Sequence, residues 1–223
     1  MMPRSNSRVL SGILAGFAAL ALSGCITLLP EQERTTLYRL SSHLPAEASA
    51  PHDAPVVRVG RPFAPRALSG DRVALDTGEG RIAYMAGASW VSPVPFLVQE
   101  LIMDTFDRRA EGVTAARPDE GVAARYDLRL ELRRFEAVYD EGEGRAPRVD
   151  VALRARLIDG ANREVAGLRS INVSQRASSN RQSAIVDAFS RAASEAAAEL
   201  VDWTGERVAV SEAAAEAALA QQQ

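Results

Sequence analysis

Apolar and polar residues alternate along this chain in two distinct periods. From Tyr126 the period is two: Tyr126, Leu128, Leu130 and Leu132 are separated by Asp127, Arg129, Glu131 and Arg133, which predicts a strand with one buried and one solvated face. Arg133-Arg134-Phe135 breaks the alternation, and a bulge there would restore register for Phe135 through Tyr139. After the Glu141 to Gly144 turn, Val149, Val151, Leu153, Ala155 and Leu157 repeat the pattern, followed by the Asp159-Gly160 turn and a third run from Val165 to Val173. Sequential strands joined by short turns predict an antiparallel meander. Upstream, Leu37 to Leu40, Val56 to Val59, Arg72 to Leu75 and Arg81 to Tyr84 read as short strands, the last two joined as a hairpin by Asp76 to Gly80.

The period becomes helical at two places. From Pro93, Leu97, Val98, Leu101, Ile102 and Phe106 share one face, with Ser92 as the expected N-cap and Gly112 in the exit turn. From about Arg181 to Trp203, Ile185, Phe189, Ala192, Ala196, Leu200 and Trp203 form a stripe behind Asn180 as the expected N-cap. The predicted fold is α+β: a mixed, largely antiparallel sheet with a C-terminal three-strand meander and two amphipathic helices packed on one face. Beyond Gly205 the Ala/Gln-rich tail has no large apolar stripe and is expected to be disordered or only partly helical.

The N-terminal run is apolar without amphipathic period. Arg4 and Arg8 precede Val9 to Leu22, and the run ends at Ser23-Gly24-Cys25. A basic start, a short apolar stretch and small residues before a cleavage point are the layout of a secretory signal peptide, too short for a stable membrane span. Leu22-Ser23-Gly24-Cys25 resembles a bacterial lipobox, which implies a covalent lipid on Cys25 and removal of residues 1–24. That removal takes away Arg4 and Arg8 but no acidic residue, moving the formal net charge from −3 to −5. A multiply acylated cysteine holds a protein on a leaflet without a spanning helix. Ile26, where lipoproteins retained at the inner membrane commonly carry aspartate, implies by the same resemblance the periplasmic face of the outer membrane. The expected organisation is signal peptide 1–24, lipidated cysteine and tether 25–36, folded domain 37–204 and tail 205–223.

Composition narrows the chemistry. One cysteine excludes an internal disulfide, and His43 and His52, both in a Pro/Ala-rich loop, are too few for structural zinc, so no metal site is expected. All 26 Lys+Arg residues are arginine, which excludes Schiff-base and P-loop lysine chemistry, and the mildly acidic balance argues against nucleic acid as a partner. No Gly-x-Ser-x-Gly elbow occurs, and Gly142-Glu143-Gly144 lacks the third glycine and the following helix of a dinucleotide loop. No catalytic residue is nominated, and the expectation is a protein that is not an enzyme and carries no cofactor besides the lipid on Cys25. Tyr84, Trp90, Pro93 and Phe96 cluster around small residues. They are a candidate partner surface, against the alternative that they fill the core where the hairpin meets the first helix.

The lipobox, Tyr38-Arg39-Leu40, Val57-Arg58-Val59, Arg81 to Tyr84 with Ala88-Ser89-Trp90 and Pro93 at a helix entry, the Tyr126 to Phe135 strand and a helix closing at Trp203 together resemble the ABC-type transport auxiliary lipoproteins, the family of paraquat-inducible protein C. The resemblance covers roughly residues 37 to 204. It implies an outer-membrane-anchored, non-enzymatic subunit that partners an MCE-domain protein of an ABC lipid transporter, acting as a docking component or a homo-oligomeric ring. The alternative is a periplasmic lipid-binding carrier with its own acyl-chain cavity.

Overall fold

The computed structural model describes residues 35–41, 54–110 and 112–221. In chain order the elements are β1 (Thr36–Tyr38), β2 (Val56–Val59), β3 (Arg72–Asp76), β4 (Ile82–Trp90), α1 (Val94–Arg109), β5 (Thr114–Ala116), β6 (Tyr126–Val138), β7 (Arg148–Asp159), β8 (Glu164–Arg176) and α2 (Gln182–Ala220). The strands form one 8-stranded sheet among the described residues, and the expected α+β class with its C-terminal meander is the one found.

β6 organises the sheet. Antiparallel β7 runs along the whole of one edge, with β8 beyond it. The other edge is shared between two parallel partners, β2 at Tyr126 to Leu128 and β3 at Glu136 to Val138, with Phe63 bridging to Glu131 between them. β5 adds to β2, β4 to β3 and β1 to β4. The β6/β7 register shifts between Leu132 and Arg134, where the broken alternation predicts a bulge. Arg133 is the extra residue. Because side chains alternate faces with period two, that one insertion returns Phe135 to the side already occupied by Leu128, Leu130 and Leu132.

The two helices close this side. α2 lays Ile185, Phe189, Ala192, Ala196 and Leu200 over β6 to β8, its alanines permitting close approach. At the centre Trp90, Phe135 and Phe189 meet with ring centroids 4.9 to 5.7 Å apart, Trp90 edge-on to both phenylalanines. α1 packs beside α2. Its buried Gln99 donates a 3.0 Å hydrogen bond to the Val59 carbonyl, and Arg109 forms a two-pronged ion pair with Asp202 at 2.7 Å.

Several boundaries differ from the sequence pattern. Neither expected N-cap serves: α1 is preceded by Pro93, with Pro95 in its first turn where an amide hydrogen has no helical acceptor anyway, and α2 by Arg181. The Asn180 side chain instead accepts from the Tyr139 hydroxyl and donates to the Glu143 carbonyl, both at 2.8 Å, and so holds the β6–β7 turn. β4 continues past Tyr84 to Trp90 because β1 supplies a second hydrogen-bonding edge. β5, three residues without a readable period, was not visible in the pattern. The largest correction is the C-terminus. α2 passes through Gly205 and the tail is helical to Ala220, its alanines being strong helix formers.

β8 approaches α2 closely at Gly167, where an added Cβ would lie 2.8 Å from Trp203 Cζ2 and 3.3 Å from Arg207 Cγ. Gly167→Ala is expected to destabilise the domain by about 1–3 kcal/mol through overpacking, measured by chemical denaturation. An unchanged midpoint would show that α2 slides freely over β8.

Candidate functional site

Cys25, Ile26, the tether before Thr35 and both histidines lie outside the described residues. The other sequence-nominated residues do not form one surface. Trp90 is 1% exposed within the aromatic cluster, its indole nitrogen without a hydrogen-bond partner among the described residues, and must be removed from the candidate partner surface. The cause is its place at the end of β4, where its side chain points to the helices. Tyr84 is half-buried beneath the Arg72 guanidinium, 3.5 Å above its ring, and its hydroxyl donates to the Ala67 carbonyl. Pro93 and Phe96 are exposed, with the Arg61 guanidinium 3.5 Å over the Phe96 ring.

The opposite face of the sheet carries what the sequence pattern did not single out. Residues that alternate with the buried set line up across neighbouring strands. One row runs Phe63, Glu131, Arg154, Ser170 and the next Arg129, Arg156, Leu168. Arg133, at the bulge, donates to Glu131 at 2.7 Å. This hydrogen bond, reinforced by the charges of Arg133, Arg154 and Arg156, outweighs desolvation and holds the Glu131 carboxyl below the usual carboxylate range. Three guanidinium groups thus act on one carboxylate, with Arg129 beside them on the neighbouring row. The signal was present in the sequence as the polar half of the alternation, but facing strands had to be registered before the arginines could be seen to meet.

Further along the same face the charges are internally matched. Burial raises the Asp150 carboxyl, but hydrogen bonds from Arg148 at 2.8 Å and Ser174 at 2.7 Å outweigh it and leave it below its ordinary range. Glu136, cross-strand from Asp150, is pushed up by burial and by Asp76. Arg148 and Arg176 both grip Asp140, at 2.6 and 2.8 Å. Among the described residues no group of three or more histidine, cysteine or acidic side chains is arranged to hold a metal ion.

A third polar group secures the end of α2. Glu212 accepts from the Tyr126 hydroxyl at 2.7 Å and from Arg125 at 2.7 Å, while Arg125 also reaches Asp159 at 3.3 Å. Burial, with the carboxylate of Glu212 beside it, pushes the Tyr126 phenol up to about 12. Depressions in the surface are open and lined by charged side chains: one of about 470 Å³ lies between α1 and α2 at Arg109, Asp202 and Glu206. Between sheet and helices, the Trp90, Phe135 and Phe189 rings pack against one another within the buried core.

These features define an α+β domain with a packed interior and its charged groups distributed over open faces. The chain belongs to the family of ABC-type transport auxiliary lipoprotein components, whose sequence model matches residues 38–201. It is 29% identical over 199 residues to the uncharacterized protein bll6063 of Bradyrhizobium diazoefficiens, covering 89% of this chain but 51% of the relative, so the chain spans about half that protein's length. Its fold is similar to the crystal structure of protein XCC0632 from Xanthomonas campestris, family DUF330, with TM-score 0.71, 23% identity and coverage of 80% and 99% of the two chains. A second crystal structure, of an uncharacterized protein, aligns with TM-score 0.60 at 14% identity over 77% and 99%.

The Glu212 cluster makes the tail part of the folded domain. Glu212→Ala, which leaves the buried Tyr126 hydroxyl and the Arg125 guanidinium without this partner, is expected to cost about 1–3 kcal/mol in chemical denaturation. A neutral result would mean the helical tail contributes nothing to stability. The raised Tyr126 phenol favours folding fully below its ordinary value of 10.0 and loses that contribution as pH rises toward about 12. Tyr126→Phe should therefore flatten the decline of stability over that window, followed by denaturation at stepped alkaline pH.

Proposed function

We propose that the protein is a non-catalytic, lipid-anchored subunit of an ABC/MCE-type lipid transport system, held on the periplasmic face of the outer membrane through Cys25, where it docks the periplasm-spanning MCE component. The observation that carries this reading is the family match over residues 38–201 downstream of a lipobox. Ile26 supports the outer membrane over the inner. The mutual packing of Trp90, Phe135 and Phe189 at the centre of the core favours a docking module over a carrier with its own acyl-chain cavity. A homo-oligomeric ring at the membrane would offer several copies of one docking face to a tunnel, and multivalent contact strengthens binding without new interactions.

Metabolic labelling with a fatty-acid probe followed by membrane fractionation tests the anchor. The wild-type protein is expected to label and to sediment with outer membranes, and Cys25→Ala to lose the label and shift to the soluble periplasm. Wild-type protein found soluble, or labelling unchanged by the substitution, would overturn the assignment. Affinity isolation from cross-linked cells tests the docking role, with co-isolation of an MCE-domain protein as the expected outcome. Lipid extraction of the purified domain should yield no stoichiometric lipid, whereas a carrier would retain one.

A further inference from the structure

We propose that the open face of the β6–β8 meander is the docking surface, and that its occupant is an extended, acidic polypeptide segment. Its carboxylates would pair with Arg129, Arg133, Arg154 and Arg156, and its apolar side chains would rest on Phe63 and Leu168. The proposal rests on the reading of this domain as a docking module and assigns that module a surface and a partner chemistry.

The register places these side chains together. Arg129 and Arg156 are direct cross-strand neighbours, as are Glu131 and Arg154, so guanidinium groups sit on adjacent strands about 4.8 Å apart. Like charges directly opposite each other in a sheet are destabilising. Glu131 is the acid at their centre, and its shortest contact is with Arg133; among the described residues neither Arg154 nor Arg156 has a hydrogen-bonded carboxylate. Added carboxylates would relieve this excess, and arginine receives them with two parallel hydrogen bonds. The charged centre is flanked by apolar groups that the chain leaves in water: Phe63 is 72% exposed on one side, and Leu168 and Val165 are 56% and 53% exposed on the other. Arginine and aromatic side chains dominate the energetics of protein interfaces.

Two observations favour a polypeptide over an anionic membrane surface. Glu131 and Asp127 lie within the same face, where a uniform layer of phosphates would meet them unfavourably, whereas a polypeptide can bring hydrogen-bond donors to them. A depression of about 260 Å³ between Arg133, Arg154 and Leu168 lies on the path from Phe63 to Leu168, where a segment crossing the strands can seat a side chain that a flat layer of headgroups cannot.

The test uses the full-length lipidated protein in detergent and a fluorescent peptide of alternating glutamate and leucine, read by anisotropy. Wild-type protein should bind it, with affinity falling as salt is raised. Arg154→Glu with Arg156→Glu should weaken binding about tenfold or more, and Phe63→Ala should weaken it several-fold. Arg81→Glu, on the β3–β4 turn, should leave it unchanged. Arg154→Gln with Arg156→Gln, which removes the opposed charges without introducing acids, supplies the same comparison should the reversal variant not fold. Equal binding by the wild-type, reversal and glutamine proteins would overturn the proposal. So would loss by these variants of binding to phosphatidylglycerol vesicles with the peptide unbound by every form. Affinity isolation separates this failure from failure of the docking reading: a transporter component retained in full by the folded arginine variants leaves docking intact and excludes this face, whereas its absence from the wild-type isolate removes docking itself.

Discussion

One extra residue in β6 governs how the domain divides its two surfaces. The β6–β7 pairing alternates side chains strictly, so Leu128, Leu130 and Leu132 face the helices and Arg129 and Glu131 face away. Without Arg133 as a bulge, Phe135 would fall on the solvated side and the cluster with Trp90 and Phe189 would lose one of its three rings. The same bulge falls between the stretches of β6 that pair with β2 and with β3, and brings Arg133 onto Glu131. Core formation and the charged face are consequences of a single register.

An all-arginine complement shapes the rest of the surface. Guanidinium groups offer forked donors that lysine cannot, and the structure uses them as cross-element clamps: Arg109 to Asp202 between the helices, Arg169 to Glu199 between β8 and α2, Arg148 and Arg176 to Asp140 at the β6–β7 turn. Such exposed pairs contribute little stability individually. Their value lies in orientation, since each ties two elements that meet only in the folded domain. Against this background of matched charges, the meander's open face stands apart because its arginines outnumber the acids among them.

Much of the architecture was legible in the chain. The two-residue period located β6, β7 and β8, the interruption at Arg133-Arg134 marked the bulge, and the helical stripes located the buried faces of α1 and α2. Legibility failed where local signals compete or are short. Ser92 and Asn180 are good capping types, yet Pro93 and Arg181 occupy the caps and Asn180 stabilises a distant turn. The apolar stripe of α2 ends near Trp203, but an Ala-rich continuation and the Glu212 contacts with Arg125 and Tyr126 carry the helix onward. Trp90 was nominated with Tyr84, Pro93 and Phe96 because they are close in sequence. Their different exposures follow from which side of β4 and which turn of α1 each occupies.

By itself the sequence determined the periodic elements, the fold class, the resemblance of Leu22 to Cys25 to a lipobox and the absence of lysine chemistry, because each of these depends on residue type and local spacing alone. Tertiary structure decided which residues meet: that Trp90 is core, that the tail belongs to the domain, and that arginines from two strands converge with Phe63 and Leu168 on one open face. Those outcomes depend on the pairing register between segments distant in the chain, and a one-residue change in that register would send every one of these side chains to the other side of the sheet.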